Sequence, residues 1–505
     1  MLNLKNSSAA LALLLLLAAC SQNKAEWVST TFDAPWTVQV VSTEKTENGA
    51  SECVVVDPAK TLQEVEGFGT CFNELGWTSL AELSEADRAG IIRDLFSPEG
   101  LNLTMARMPV GANDFSVDYY SYDDVPGDFA LEHFSIAHDE GTLLPFIKAA
   151  LAVRPDLRIW ASPWCPPAWM KVNGHYANTS TLPIKQRFEQ MMKNRRDRPD
   201  DVRATGGSSF GMNPAMLPDN GLPLEAQIRE GQDAFRLEPE YLEAYARYFG
   251  KFIDAYRAEG IDVRMVMPQN EPNSAQWYPA CTWTPEGLAQ FIAYLGPEMQ
   301  KRGVEVWLGT VERADPEMWD RILTDSKAGP HISGMGFQWA GKDALPELHR
   351  RHPQLPCYQT EQECGNGSND WSGAMHAWDL MRQYWRNGVN GYFYWNTSLL
   401  DGGVSTWGWS QNSLVAVSKE ARTFRYTPEY YVLKHASHYV RPGARVLDLG
   451  GSYEEALGFL NPDGGTVLLL ANKEASPKTV RVEVSGRGRT FDLPAESVNT
   501  IVLWK

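Results

Sequence analysis

The sequence has few histidines and fewer basic than acidic residues. Its nine histidines among 505 residues include no His-x-x-x-His spacing and no His-Glu-x-x-His motif, so the pattern does not indicate a metal site. Lys and Arg number 46 against 63 Asp and Glu, which gives a net charge of −17. Nucleic acids and anionic membranes bind clustered cations, so the charge argues against both as partners. We expect no cofactor and a neutral ligand.

The apolar run at the N-terminus is too short to cross a bilayer. Residues 9–19 follow one positive charge, Lys5, and lead into Leu-Ala-Ala-Cys at residues 17–20. A charged start, a short apolar stretch and a cysteine after small residues resemble a bacterial lipoprotein signal. We therefore expect residues 1–20 to direct export, with a lipidated Cys20 anchoring the protein in the periplasm or on the cell surface. An ordinary signal peptide followed by a chance cysteine is the alternative.

Cysteine pair motifs are also absent. Apart from Cys20 the chain has six cysteines and no Cys-x-x-Cys. An exported protein can form disulfides, but six cysteines allow 15 pairings and their spacing selects none of them. The disulfide pairing and the oligomeric state therefore stay open at this point.

The composition is that of a globular protein with many aromatic residues. With 43% hydrophobic and 22% charged residues, a chain of this length can form one large core or two domains. It contains 18 Trp, 19 Tyr and 19 Phe. The flat face of a Trp packs against the C–H faces of sugar rings, although Trp residues in a core give the same composition.

The middle of the chain alternates short strand candidates with longer amphipathic segments such as 240–260 and 285–303. Eight strands alternating with helices predict a (β/α)8 TIM barrel. The strand candidates are residues 63–70, 103–109, 157–163, 263–269, 304–310, 333–338, 356–361 and 391–396.

The ends of the chain have a different pattern. From about residue 426, short alternating strands are separated by Gly and Pro, which predicts an attached antiparallel β-sandwich domain over 426–505. We expect N-terminal strands within 27–60 to join it and the barrel to occupy 61–425. A packing role is expected for the sandwich, with carbohydrate binding as the alternative. Residues 173–236 interrupt the barrel with a charged run and a Gly/Ser/Pro-rich stretch, and this insertion either lines a substrate cleft or has no role.

Two acidic residues occur where predicted barrel strands end. Glu271 follows the apolar run 263–268, and Glu361 follows the run 356–360. A TIM barrel builds its active site from residues just beyond the C-terminal ends of its strands. Two facing carboxyl groups are what hydrolysis of a glycosidic bond requires, one to protonate the leaving oxygen and one to attack or to activate water. Glu363 is a rival to Glu361, because a two-residue spacing puts both on the same side of a strand.

Six strings in the sequence resemble glycoside hydrolase family 30, whose members include glucosylceramidases and β-1,6-glucanases. They extend over nearly the whole chain after the signal, with the insertion outside the resemblance. The strings are residues 67–77, 107–116, 160–171, 269–272, 358–365 and 430–443.

The resemblance implies a barrel with an attached sandwich, a retaining mechanism, an acid/base on the fourth strand and a nucleophile on the seventh. On the matching positions the acid/base is Glu271 and the nucleophile is Glu361, which directly follows Thr360. Asn270 is then placed to bind the 2-hydroxyl of the sugar. The further sugar contacts that the resemblance implies are Glu74, Asp114, Trp164, Gln338, Trp339, Trp395 and Asn396.

Two positions depart from the glucosylceramidase pattern. Glu74 stands where that pattern has Asp, and Gln338-Trp339 replaces a His-Trp-Tyr-like segment. These departures favour β-1,6-linked glucan as the carbohydrate substrate, with glucosylceramidase-like β-glucosidase activity as the alternative. A non-catalytic, surface-tethered glycan-binding lipoprotein is the alternative of another class. The presence of both Glu271 and Glu361 argues against it.

Overall fold

The computed structural model describes residues 25–41, 52–186, 189 and 217–503. The predicted lipoprotein signal with Cys20 and most of the central part of the predicted insertion lie outside the described residues. The chain forms two compact units. One unit is Gly67–Tyr430, and the other combines the segment that ends at Glu66 with the segment that begins at Tyr431.

The larger unit is a closed barrel of eight parallel strands, which confirms the predicted (β/α)8 fold. Each strand pairs with the next along the chain, and the last pairs with the first. The strands are β1 Gly67–Cys71, β2 Met105–Pro109, β3 Arg158–Ser162, β4 Val263–Val266, β5 Glu305–Val311, β6 Ile332–Gln338, β7 Cys357–Glu361 and β8 Gly391–Asn396.

Helices alternate with these strands, and side-chain caps define where several of them begin. Asn73, Ser84, Thr284 and Asp370 each accept a hydrogen bond from a backbone N–H of the first turn, which satisfies donors that an isolated helix leaves unpaired. Within the described residues, no helix is long and apolar enough to span a membrane. The helices are α1 Glu74–Ala81, α2 Glu85–Phe96, α3 Leu143–Val153, α4 Pro239–Ala258, α5 Pro285–Gln300, α6 Pro316–Leu323, α7 Leu345–Arg351, α8 Trp371–Arg386 and α9 Pro428–Ser437.

The first predicted barrel strand, 63–70, divides between the two units. Thr61–Val65 pairs antiparallel with Ala444–Leu447 in the smaller unit, and β1 begins only at Gly67. Gly67 has a φ of +155°, and a Cβ at this position would lie 2.2 Å from Oγ1 of Thr104. The chain passes from one sheet to the other at this residue, where only glycine fits.

The smaller unit is a sandwich of a seven-stranded and a four-stranded sheet, and it confirms the predicted β-sandwich. One pairing differs from the expected antiparallel pattern, because Glu52–Val56 runs parallel to Lys478–Val484. Side chains from both sheets form the core between them, with the Trp27 and Phe491 rings 5.5 Å apart. The strands are Thr37–Val38, Ala25–Thr30, Ser497–Leu503, Thr466–Asn472, Ala456–Leu460, Ala444–Leu447 and Thr61–Val65 in one sheet, and Gly450–Gly451, Glu52–Val56, Lys478–Val484 and Arg487–Leu493 in the other.

Candidate active site

A buried arginine connects the ends of four barrel strands. Arg107, on β2, is fully buried. Its Nη1 donates to Oε2 of Glu361 on β7 at 2.9 Å, and its Nη2 donates to Oδ1 of Asn270 at 2.7 Å. Ser162, at the end of β3, accepts from Nη2 at 3.0 Å. A buried guanidinium needs such acceptors, so its position defines a polar centre at the C-terminal mouth of the barrel.

Gln338, the last residue of β6, brings the two predicted catalytic carboxyl groups together. Its side-chain nitrogen donates to Oε1 of Glu271 at 3.0 Å and to Oε2 of Glu361 at 3.2 Å. Its oxygen accepts from the Thr360 hydroxyl at 2.9 Å, which fixes the orientation of the amide. Glu271 and Glu361, 90 positions apart in sequence, therefore face one small volume.

The environment of this pair changes its protonation. Burial raises the pKa of both Glu271 and Glu361. The Arg107 guanidinium opposes the rise at Glu361, while the hydrogen bond from Gln338 opposes it at Glu271. Because two nearby carboxylates in a dry site resist ionising together, the charge of Glu271 adds to the rise at Glu361. Even with Arg107 in direct contact, the pKa of Glu361 is raised to about 7.

The backbone at Glu271 is constrained. Its φ is +48°, in the left-handed region that non-glycine residues rarely adopt. Thr310, on β5, accepts from the Glu271 N–H at 3.0 Å and donates to Oδ1 of Asn270 at 3.1 Å. The neighbouring strand thus holds both residues, and this geometry aims the Glu271 side chain at Gln338.

Aromatic side chains surround the polar centre. The Trp164 and Trp395 rings stack 5.0 Å apart, and the Arg107 guanidinium lies 4.4 Å from the Trp164 ring centre. Trp339 donates from Nε1 to Oε1 of Glu361 at 3.4 Å. Such rings exclude water and strengthen the charged contacts beside them.

Asp114 lies beside the pair with one carboxylate oxygen unoccupied. The side chain is buried, and Oδ1 forms no hydrogen bond with any residue that the structure describes. Burial raises its pKa, and the charges of Glu361 and Glu271 add to the rise. A buried polar atom without a partner is expensive, so Asp114 is suited to bind a hydroxyl of an incoming sugar.

Two predicted sugar contacts, Glu74 and Asn396, have hydrogen-bond partners within the protein, and their contact with a sugar stays a prediction. Glu74 is the first residue of α1, and its carboxylate accepts from the Val117 N–H at 2.8 Å and from the Thr142 hydroxyl at 3.0 Å. Asn396 accepts from Asn73 at 3.1 Å and donates to Gln411 at 2.7 Å. Neither residue has a hydrogen bond to the carboxyl pair, and both hold loops around it.

The rival Glu363 is also placed outside the pair. Its carboxylate forms an ion pair with Lys342 at 2.7 Å and lies 3.1 Å from Nε2 of His376. These contacts lower the pKa of Glu363 against the effect of its burial. It is therefore a charged structural residue, whereas Glu361 faces Glu271.

Sequence reasoning did not select Arg107, Thr310 or Ser162 as site residues. Arg107 carried a signal, because β2 reads Met-Ala-Arg-Met-Pro and a charge in an otherwise apolar strand needs a buried partner. Thr310 and Ser162 carried none, since either fits an ordinary strand. Among the described residues, no cluster of His, Cys, Asp or Glu is arranged to hold a metal ion.

Two family models match the chain and cover most of it. The model described as glycosyl hydrolase family 30 TIM-barrel domain matches residues 65–188 and 227–440, and the family 30 beta sandwich domain matches residues 443–501. The chain belongs to glycosyl hydrolase family 30. The unmatched stretch between the two barrel segments falls within the predicted insertion.

Relatives of this family 30 enzyme carry two kinds of name. It is 28% identical to putative glucosylceramidase 4 of Caenorhabditis elegans over 91% of this chain and 84% of the relative. It is 27% identical to endo-1,6-beta-D-glucanase neg1 of Aspergillus fumigatus over 87% of this chain and 85% of the relative. The crystal structure of SrfJ from Salmonella typhimurium has the same fold, with a TM-score of 0.78, 23% identity and coverage of 95% of this chain and 99% of that one. The enzyme is a glycoside hydrolase.

Proposed function

We propose that this enzyme hydrolyses β-glucosides with retention of configuration, with Glu361 as nucleophile and Glu271 as acid/base. The observation that carries the proposal is the pair of hydrogen bonds from one Gln338 nitrogen, 3.0 and 3.2 Å long, to the two carboxyl groups. The two accepting oxygens are closer than the sum of these lengths. That separation supports the roughly 5–5.5 Å spacing of retaining enzymes over the roughly 6.5–9.5 Å of inverting ones.

In the first step, the charged Glu361 oxygen attacks the anomeric carbon while Glu271 gives its proton to the leaving oxygen. This forms a glycosyl–enzyme ester and releases the leaving group as an alcohol. In the second step, Glu271, now ionised, takes a proton from water, which attacks the same carbon and releases Glu361. Asn270 accepts from Arg107 and Thr310 through its oxygen, which leaves its amino group to donate to the sugar 2-hydroxyl.

We infer that β-1,6-linked glucan is the substrate. The polar groups described above suit a neutral hexose. The similarity to a fungal endo-1,6-beta-D-glucanase supports this substrate. Gln338, at the position where glucosylceramidases have a His-containing segment, also favours glucan.

Glucosylceramidase-like activity is the second candidate. Val117 and Val404 have exposed fractions of 46% and 40%, and their loops are joined by a hydrogen bond of 2.7 Å from Thr406 to the Ser116 carbonyl oxygen. This exposed apolar edge would suit a lipid leaving group. Similarity to a putative glucosylceramidase also supports it.

Two measurements on the purified enzyme test these proposals. Proton NMR of the first sugar released from an aryl β-glucoside should show the β-anomer before mutarotation, and release of the α-anomer would rule out retention. Product analysis on β-1,6-glucan, β-1,3-glucan and a glucosylceramide should show fastest hydrolysis of the β-1,6-linked polymer. Faster cleavage of the glycolipid would instead favour glucosylceramidase-like activity.

We further propose that the enzyme is an exported lipoprotein anchored through Cys20 in the bacterial cell envelope. The support is the apolar run and the Leu-Ala-Ala-Cys string at residues 17–20. Cells that express the full chain should incorporate labelled palmitate into it, and Cys20→Ala should abolish this. Labelling of the Ala variant would contradict the anchor.

A further inference from the structure

A third buried glutamate lies directly behind the proposed acid/base. Glu312 follows the last residue of β5 and has an exposed fraction of 2%. Its Oε1 accepts from the Asn273 N–H at 2.8 Å and from the Ser274 hydroxyl at 3.4 Å. Both donors belong to the turn that begins at Glu271, so Glu312 contacts the acid/base through its own backbone segment.

Arg313 forms hydrogen bonds to the same turn from the side that faces solvent. Its Nη2 donates to the Asn273 carbonyl oxygen at 2.9 Å and to the Ser274 hydroxyl at 3.3 Å. Its Nε lies 3.8 Å from Oε1 of Glu312, and Glu230 pairs with the guanidinium at 2.5 Å. The charge of Arg313 is therefore shared between Glu230 and Glu312, so it neutralises a charge on Glu312 only in part.

The turn has a conformation that needs this support. Glu271 takes a positive φ, and the Ser274 N–H donates to the Glu271 carbonyl oxygen at 3.0 Å. A non-glycine residue in the left-handed region costs about 1–3 kcal/mol and persists where its surroundings over-determine it. Thr310 on one side and Glu312 with Arg313 on the other provide that restraint.

Glu312 also lies close enough to the acid/base to feel its charge. Burial raises the pKa of Glu312 to about 8, and the negative charge of Glu271 adds to this while Arg313 opposes it. Its Oε2 is buried and forms no hydrogen bond among the described residues. The titratable and charged groups that face Glu271 are Glu361, Arg107, Asp114 and Tyr278 on one side and Glu312 and Arg313 on the other.

We propose that Glu312 is a positioning residue for the acid/base, which holds the 271–274 turn in place through the Asn273 N–H and the Ser274 hydroxyl. This inference rests on the proposed role of Glu271. Because burial raises the pKa of Glu312 to about 8, Glu312 is protonated at neutral pH, and it acts on Glu271 through the turn and not through a charge.

The test compares Glu312→Gln and Glu312→Ala on two substrates. Phenyl β-glucoside needs a proton on its leaving oxygen, whereas 2,4-dinitrophenyl β-glucoside does not. Gln keeps the acceptor for Asn273 but cannot ionise, so kcat/KM for the phenyl substrate should stay within about threefold at about pH 6. Its alkaline limb should also stay in place below about pH 8, because Gln resembles the protonated form of Glu312. Ala removes the acceptor, so kcat/KM should fall about tenfold or more on the phenyl substrate and much less on the dinitrophenyl substrate.

Glu429→Gln is the matched control. Glu429 is also buried in the barrel unit, and burial raises its pKa to about 7, but it pairs with Asn412 away from the carboxyl pair. Its substitution should leave kcat/KM on both substrates within about threefold. A loss in Glu312→Gln as large as that in Glu312→Ala, or equal losses on both substrates in Glu312→Ala, would overturn the proposal. If Glu312→Ala does not fold, as judged by its melting temperature, Glu312→Asp decides, because its shorter side chain withdraws the acceptor from Asn273. Absence of hydrolysis by the wild-type enzyme would instead refute the proposed function.

Discussion

Two of the buried carboxyl sites in the barrel are surrounded in opposite ways. Asp139 is fully buried and accepts from the hydroxyls of Tyr120 at 2.9 Å, Tyr122 at 2.7 Å and Tyr256. Glu361 and Glu271 are nearly as buried, yet they share one Gln338 nitrogen and face each other. The first carboxyl is enclosed by neutral donors. The members of the second pair share a donor.

The difference shows that burial alone does not make a carboxyl group reactive. Burial raises the pKa of Asp139 to about 6, but three hydroxyl donors oppose the rise and satisfy its oxygens. At the other site Glu361 also accepts from three groups, Arg107, Gln338 and Trp339. It differs because it faces a second carboxyl, Glu271, whose charge adds to the rise of its pKa. The contrast is therefore between one carboxyl among neutral donors and two carboxyls that share a donor and oppose each other's ionisation.

The largest effect is expected from Glu361→Gln. The amide cannot attack the anomeric carbon, so kcat should fall on the order of 10⁴-fold or more on both aryl β-glucosides, while binding of oligosaccharides by calorimetry should persist. Glu363→Gln is the matched control, since its carboxylate pairs with Lys342 instead. Unchanged hydrolysis by Glu361→Gln would remove the nucleophile assignment and favour a glycan-binding protein.

Glu271→Gln should have a smaller effect that depends on the leaving group. Without a proton donor, kcat/KM for phenyl β-glucoside should fall by about 10²–10⁴-fold. The dinitrophenyl substrate should lose far less, because its leaving group departs as an anion. The variant should also lose the alkaline limb of its pH profile. Equal losses on the two substrates would assign Glu271 another role.

Arg107→Met should shift the acid limb of activity. Arg107 lowers the pKa of Glu361 against the effect of burial, so its loss should raise that pKa and move the acid limb of kcat/KM to higher pH by about 1–3 units. Turnover at about pH 6 should fall by about 10²–10³-fold. Because an unpaired buried Glu361 destabilises the fold, Arg107→Gln, which is neutral but can still donate a hydrogen bond, is the variant to use if the Met variant does not fold. An unchanged acid limb would contradict the role.

Asp139→Asn should change stability and leave chemistry intact. Loss of the hydrogen bonds from three tyrosine hydroxyls should lower the free energy of unfolding by about 1–3 kcal/mol, with kcat/KM within about twofold. Because folding raises the pKa of Asp139, its contribution is fullest below about pH 4 and declines as the pH rises through about 6. Urea unfolding at several pH values measures the loss of stability and its dependence on pH. Asp156→Asn, at an exposed position, is the control, and a large activity loss in Asp139→Asn would break the contrast between the two sites.

Local pattern in the sequence was sufficient to predict the barrel, because the periodicity of apolar residues distinguishes strands from helices over a few residues. It was also sufficient to place Glu271 and Glu361 at strand ends, since every parallel strand of a barrel delivers its C-terminal end to the same mouth. The partner of Thr61–Val65 could not be obtained in this way. That strand reads like a barrel strand, and only its pairing with Ala444–Leu447 assigns it to the sandwich.

The hydrogen-bond partners of individual side chains could not be predicted from the sequence either. Glu74 and Asn396 have the residue types and positions of sugar contacts, and no local pattern predicts that Val117, Thr142, Asn73 and Gln411 are their hydrogen-bond partners. Arg107 and Glu361 are 254 positions apart. No local pattern encodes such a contact, because its energy depends on where two distant strands end and on which donors compete there.

The sequence by itself determined the kinds of element, their order, and the two strand ends that carry acids. Tertiary structure alone decided which carboxyl groups are chemical and which are structural. The physical reason is that the protonation of a carboxyl depends on its burial and on the charges and donors within a few ångströms. In this enzyme Arg107, Gln338 and Glu312 provide those neighbours, and each comes from a different strand of the barrel or from its end.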